Sequence, residues 1–263
     1  MKIKRIISGI ILLAILATIL IIGNTTVVNI AASIIAILSI NEYFNLFKGK
    51  KNVDKWIGNI FAILIAFIGI IPAEMLIFAF PISIMLLFAK VVITKMKTNF
   101  EDVVFSSFGI IYIIGFIIFL PLLFATENGK FLIWYLAIAS WGTDTFAYLV
   151  GMKFGKHKLT PISPKKSVEG SIGGIVGAVI LAIVYTYFIN KFGNLGISYF
   201  AIMGIIIILS ILSQIGDLAA SSIKRYAGIK DFSNLIPGHG GMLDRIDSIL
   251  FIAPFAFFLL TLI

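Results

Sequence analysis

The chain has no cysteine. Disulfides, Cys-ligated zinc and thiol nucleophiles are all excluded. Charge is scarce too: 13% of residues are Asp, Glu, Lys or Arg, 60% are hydrophobic, and the mean hydropathy is +1.11. Soluble domains carry about 25% charged and about 45–50% apolar residues, so a water-soluble fold is excluded. Acids are scarcer than bases, 12 against 21, for a net charge of +9. The excess does not point to nucleic acid, because no Lys/Arg-rich tail and no aromatic-basic repeat occurs. Basic loops facing anionic headgroups are the plainer source. A G-x-S-x-G, a Walker P-loop and a Rossmann G-x-G-x-x-G are also missing, which removes three common routes to hydrolase or nucleotide chemistry.

What is present is a series of long apolar runs. A membrane-spanning helix takes about 20 largely apolar residues. Nine runs qualify, at roughly 6–23, 26–44, 56–73, 75–93, 103–125, 131–151, 171–189, 198–216 and 248–263. Pro72 and Pro81 blur the third and fourth, and the last is short. The first begins with Met1-Lys-Ile-Lys-Arg5, like a signal peptide. Its apolar run is too long for one, and no small-x-small site follows Gly23, so it reads as an uncleaved helix. With the N-terminus in the cytoplasm, alternation places every basic residue except Lys130 and Lys191 on the cytoplasmic side. The positive-inside rule asks for that bias. The sequence therefore predicts an all-α, polytopic protein with nine transmembrane helices, N-terminus cytoplasmic and C-terminus outside. Run lengths favour helices over a β-barrel. Residues 1–130 read as anchor helices, and 131–263 as helices carrying a cytoplasm-facing site in the cell (inner) membrane.

The polar residues support that division. Asp144, Glu169, Asp217, Asp231, Asp244 and Asp247 lie in the second half, with both histidines, His157 and His239. Asp144 interrupts an apolar run, at an insertion cost of about 2.5–3.5 kcal/mol or more. A protonated acid in a helix contact would explain it, but intramembrane acids mark functional sites more often. Asp217 and Ser221 are four apart and share a helix face, with Gln214 a turn before and Ser222 beside Ser221. Asp244 and Asp247, three apart, also share a face. Such carboxylates suit Mg²⁺, which takes one or two of them plus waters and substrate phosphates. Helix N-terminal acids favoured by the macrodipole are the alternative for Asp244.

The run Pro237-Gly-His-Gly-Gly241 precedes that helix. Glycines let a backbone turn tightly, and amides running into a helix start point at anions. Gly238, Gly240 and Gly241 therefore read as a phosphate cradle. His239 binds phosphate, orients a carboxylate or is only structural. Lys224, Arg225 and Lys230 add cations. Upstream, "SPKKSVEGSIGG" offers Lys165, Lys166 and Ser167, with Glu169 as a third-turn acid or a metal ligand. Gly170, Gly174 and Ala178, four apart, suit close helix packing. Acids for a divalent ion beside cations and amides for phosphates suit phosphoryl or nucleotidyl transfer onto a lipid.

The stretch "SSIKRYAGIKDFSNLIPGHGGMLDRID" resembles the signature of the CDP-diacylglycerol synthases, also called phosphatidate cytidylyltransferases. The matching positions are Ser221, Lys224, Arg225, Lys230, Asp231, Ser233, Ile236, Pro237, His239, Gly240, Gly241, Asp244, Arg245 and Asp247. Upstream, "DTFAYLVGMKFGKHKLTPISPKKSVEG" is similar to the family too, so the likeness covers about residues 134–263. The short polar start suggests the bacterial type. The resemblance implies that CTP and phosphatidic acid, a membrane lipid, give CDP-diacylglycerol and pyrophosphate with Mg²⁺, a second cation and a homodimer being left open. It implies Asp217, Asp244, Asp144 and Asp247 as metal ligands, and Lys165, Lys166, Lys224, Arg225 and Arg245 on phosphates. His239 would position rather than abstract a proton. Further substrate contacts are expected from Ser167, Glu169, Ser221, Ser222, Lys230, Asp231, Gly238, Gly240 and Gly241. Two rivals are a CTP-dependent polyprenol kinase, which attacks the γ-phosphorus, and a transporter. A transporter predicts paired broken helices, which the sequence does not display. The CDP-alcohol phosphotransferase motif D-x-x-D-G-x-x-A-R is absent.

Overall fold

The structure is a computed structural model describing residues 2–71 and 73–263, with side chains apart from those of 2–7, 73, 74 and 77. Pro72 and the side chains of Lys2, Lys4 and Arg5, used above for span limits and charge, lie outside the described residues. Twelve helices follow in order: α1 (Lys2–Ile22), α2 (Thr25–Asn45), α3 (Lys55–Leu64), α4 (Ala73–Ile93), α5 (Phe100–Gly109), α6 (Gly115–Ile117), α7 (Phe119–Phe124), α8 (Gly129–Ala137), α9 (Thr143–Phe154), α10 (Val168–Gly193), α11 (Tyr199–Ala227) and α12 (Leu243–Leu260). No strand forms among the described residues. A wide π turn at Ile110–Ile114 joins α5 to α6, and another at Ile138–Gly142 joins α8 to α9.

Among the described residues, four helical stretches are long and apolar enough to cross a membrane: Thr25–Asn45, Phe100–Phe124, Val168–Gly193 and Tyr199–Ala227. Shorter apolar helices run over Ser8–Ile22, Lys55–Phe67 and Phe78–Ile93. Large apolar side chains such as Phe200, 86% exposed, and Trp56, 81% exposed, stand on the outer surface. Lipid, not water, suits such a surface, and the chain is a membrane protein. The run expected over 56–73 is helical only to Phe67. There the chain turns, with Ile70 N–H bonded to Phe67 O and Gly69 at φ +88°, a left-handed conformation that glycine adopts without strain.

The chain divides into two compact units. One holds the chain up to Leu122 together with Asp231–Arg245. Ala36, Ile40 and Phe44 of α2 are fully buried in it. Gly58 and Gly109 lie where a Cβ would strike the rings of Phe44 and Tyr43. Asn24 caps α2 through Val27 N–H, and an Asn99–Asp102 capping box starts α5. Those caps satisfy amides that a helix start leaves unpaired.

The other unit holds Leu123–Lys230 and Ile246–Ile263. Its α9 and α10 pack backbone to backbone. A Cβ at Gly170 would lie 2.7 Å from Ala147 O, and one at Gly174 would lie 2.7 Å from Thr143 O. Ala178 is fully buried in line with them. The four-residue spacing of small residues thus serves close packing, as the sequence reading expected.

Candidate active site

Of the four acids expected on a metal, Asp144, Asp217 and Asp247 lie in the unit built on α9–α11, and Asp244 lies in the other unit. The π turn at Ile138–Gly142 delivers Asp144 in the first turn of α9, with its side chain exposed. π turns recur at functional sites. The helix α11 runs well past residue 216, so Asp217 projects from its interior. A Cβ at Gly216 would lie 2.5 Å from Phe251 Cβ and 3.3 Å from Asp247 O. Glycine there lets α11 lie against α12, which sets Asp217 near Asp247. Asp247 is buried, and the charges of Asp217, Lys224 and Asp144 act on it directly. Lys224 is buried in the last turn of α11. Lys166 Nζ lies 2.5 Å from Asp217 Oδ2, each side chain 27% exposed, so the pair remains open to a ligand. Asp217 thus pairs with Lys166, and its charge, with those of Lys224 and Asp144, acts on Asp247.

Several neighbours hold the frame. Gly228, at φ +76°, ends α11, with its N–H bonded to Arg225 O and that of Ile229 to Lys224 O. This Schellman arrangement fixes the helix end carrying Lys224 and Arg225. Arg225, Lys230 and Lys165 are exposed. Ser222 Oγ donates to Ala219 O, so its hydroxyl is bonded within its own helix. Ser167, expected on substrate, caps α10 by accepting from Gly170 N–H. Glu169, also expected there, accepts from the N–H groups of Lys156 and His157 and lies 2.6 Å from His157 Nδ1. Both help to fold the loop between α9 and α10, which an antiparallel bridge between Lys158 and Ser167 completes.

In the other unit, the glycine-rich run folds into a tight turn. His239 N–H bonds to Ile236 O at 2.9 Å, and Ile236 N–H to Gly240 O at 2.8 Å. Pro237 followed by Gly238 at φ +78° is the residue pattern of a type II turn. Asp244 is buried, and its Oδ2 accepts from Phe232 N–H at 2.8 Å and Gly241 N–H at 2.9 Å. Asp231 is exposed. Arg245 has a buried Nε without a hydrogen-bond partner.

The sequence reading missed Glu42. This buried residue of α2 accepts from Ser233 Oγ at 2.7 Å, Met242 N–H at 2.9 Å and Leu243 N–H at 2.8 Å. A Cβ at Gly241 would lie 2.5 Å from Glu42 Oε2. The amides of Gly241, Met242 and Leu243, at the start of α12, are therefore held by carboxylates. This corrects the expected phosphate cradle at Gly241: carboxylates of the chain itself already balance the positive helix end. A residue of the half read as nearly pure anchor thus also holds this loop. The signal was available, since an acid inside the apolar run 26–44 carries the same insertion cost that singled out Asp144.

Acids beside lysines in the unit built on α9–α11 suit the handling of phosphate groups. The Cytidylyltransferase family profile matches residues 3–263, and the chain belongs to that family of nucleotidyltransferases. It is 36% identical over 262 residues to the phosphatidate cytidylyltransferase of Staphylococcus haemolyticus (strain JCSC1435), covering 95% of each chain. It is 41% identical over 196 residues to that of Bacillus subtilis (strain 168), covering 74% of this chain and 70% of the relative.

Proposed function

We propose that this enzyme transfers the cytidylyl group of CTP to phosphatidic acid, giving CDP-diacylglycerol and pyrophosphate. The likeness to a phosphatidate cytidylyltransferase along 95% of both chains carries this reading. The cluster of Asp144, Asp217, Asp247, Lys166 and Lys224 supports it. Mg²⁺ fits the donor set. Among the described residues no three acids or histidines stand in ligand geometry by themselves, but Mg²⁺ takes only one or two carboxylates and completes its shell with water and phosphates. Asp217, Asp144 and Asp247 would hold it. The ion, when bound, supplies positive charge against the substrate phosphates. Asp244, with one oxygen committed to two amides, is assigned to holding the loop.

The chemistry asks little proton transfer of the protein. A phosphomonoester has a second pKa of about 6, so phosphatidate arrives largely ionised near pH 7. Its oxygen forms a bond to the α-phosphorus, and the bond from that phosphorus to the β-phosphate oxygen breaks. Pyrophosphate leaves with the electron pair. The protein's work is to hold two polyanions in line and offset their charge. Lys166 does so by exchanging Asp217 for phosphate. Lys165, Lys224 and Arg225 add further cations. The membrane arrangement completing this proposal has nine spans, the N-terminus and these residues on the cytoplasmic side where CTP is available, and the C-terminus outside. Its support is the charge distribution along the sequence. Purified enzyme given CTP and phosphatidate should release one pyrophosphate for each CDP-diacylglycerol formed. Pyrophosphate release without the lipid product overturns the reading.

A further inference from the structure

We infer that a groove between α2 and the Ser233–Leu235 segment holds an anionic phospholipid of the surrounding membrane, with an acyl chain in the groove and the phosphate on Lys55. The groove has a volume of about 320 Å³, and its walls belong to one compact unit. Ile37, Leu38, Asn41 and Asn45 line it from α2, opposite Leu235. Their spacing of three and four makes one face of the helix, about 12 Å long. The polar groups of the lining are engaged with protein partners. Asn41 Nδ2 donates to Ile37 O and Asn59 Oδ1, and Asn41 Oδ1 accepts from Asn59 Nδ2. Glu42 and Ser233, also in the wall, bond to each other at 2.7 Å. Ser233 Oγ accepts from Leu235 N–H at 3.1 Å as well, which holds the exposed Leu235 at the groove. The groove therefore offers a ligand chiefly apolar surface, and an acyl chain uses it without stranding a polar group.

The Asn45 end differs. Lys55 Nζ lies 2.5 Å from Asn45 Oδ1, a neutral partner that does not offset its charge. An ammonium has three donors, so Lys55 can hold Asn45 and an anion together. Lys48, exposed, stands one turn beyond Asn45. Beside Lys55 is the exposed Trp56, a residue type that membranes hold at headgroup level. Apolar surface that ends in cations at that level is complementary to an anionic phospholipid. The Glu42 carboxylate, further along the face, favours the lysine end for the phosphate. The seated chain joins α2 to the segment leading into the His239 loop, beside the Glu42 clamp that joins them by hydrogen bonds.

The test uses phosphatidylglycerol, an anionic lipid that is not the proposed substrate. Enzyme purified in detergent and stripped of lipid is titrated with it, and retained lipid is counted by native mass spectrometry while the thermal midpoint is followed. The wild type should retain phosphatidylglycerol in preference to phosphatidylcholine, with a higher midpoint when the lipid is bound. Leu38→Trp, which fills the groove, should weaken retention by about tenfold or more through lost burial of the chain. Lys55→Gln, at the surface end, should keep the fold and bind the two lipids alike. Retention unchanged in Lys55→Gln and in Leu38→Trp overturns the inference. Displacement of the lipid by glycerol 3-phosphate alone also overturns it, since a headgroup site without the groove would explain the binding. Leu38→Trp that turns a dimer into monomers with lipid retention intact would give the groove to a second copy of the chain. None of these readouts depends on turnover, so they stand apart from the cytidylyl-transfer reading.

Discussion

The carboxylate of Glu42, in the second helix, accepts a hydrogen bond from the backbone N–H of Leu243, 201 residues further along the chain, at 2.8 Å. One buried acid ties the start of the last helix to an early one. It accepts from Met242 N–H and Ser233 Oγ as well, so the loop carrying His239 and Asp244 takes its shape from a residue outside its own signature.

Removing that acid should cost both stability and rate. A hydrogen bond to a charged group contributes about 1.5–3 kcal/mol, and each 1.36 kcal/mol of barrier is tenfold in rate. Glu42→Ala should lower the thermal midpoint in detergent and reduce turnover by about tenfold or more. Glu42→Gln should fall between, because its amide group turns one acceptor into a donor facing amide donors. Gly241→Ala should behave like Glu42→Ala, since the added carbon displaces the same carboxylate. A Glu42→Ala enzyme with wild-type midpoint and turnover would show that the clamp does not matter.

Asp217 and Asp244 should separate. Asp217 sits in an open pair with Lys166, so Asp217→Asn should leave the thermal midpoint within a degree or two and lower turnover by about a hundredfold or more, the scale of a lost charge-stabilising group. Asp244→Ala should lower both, because Phe232 and Gly241 lose their shared acceptor. Equal loss of stability in the two variants would contradict the division of roles.

Much of this was legible in the sequence, and the gaps have physical causes. Apolar run length and Gly spacing identified the helical class and the close packing at Gly170 and Gly174, because both depend on local pattern. The rarity of acids in apolar runs singled out Asp144, and position at span ends singled out Asp217, Asp244 and Asp247, of which Asp244 lies in the other unit. The part that Glu169 and Ser167 play in closing their own loop was not legible, because a polar residue beside a lysine pair reads alike whether it binds a ligand or closes a loop. The Glu42 clamp was invisible for another reason. It joins residues 191 to 201 positions apart, and no periodicity links such distant points.

Topology has its own test, made simple by the absence of cysteine. Single cysteines at positions 165 and 239 should react with a membrane-impermeant maleimide only when the cytoplasmic face is open. Cysteines at 130 and near the C-terminus should react in intact cells. External labelling at 239 would invert the orientation and separate the loop from cytoplasmic CTP.

The most direct test of cytidylyl transfer follows the fate of single phosphorus atoms. Purified enzyme is supplied with phosphatidate, Mg²⁺ and CTP labelled in separate reactions at the α- or the γ-phosphorus, and the lipid is extracted. Attack at the α-phosphorus predicts lipid-borne label from α-labelled CTP alone, with the γ-label recovered in pyrophosphate. Label reaching the lipid from the γ-position would mean phosphoryl transfer by a lipid kinase and would contradict the account.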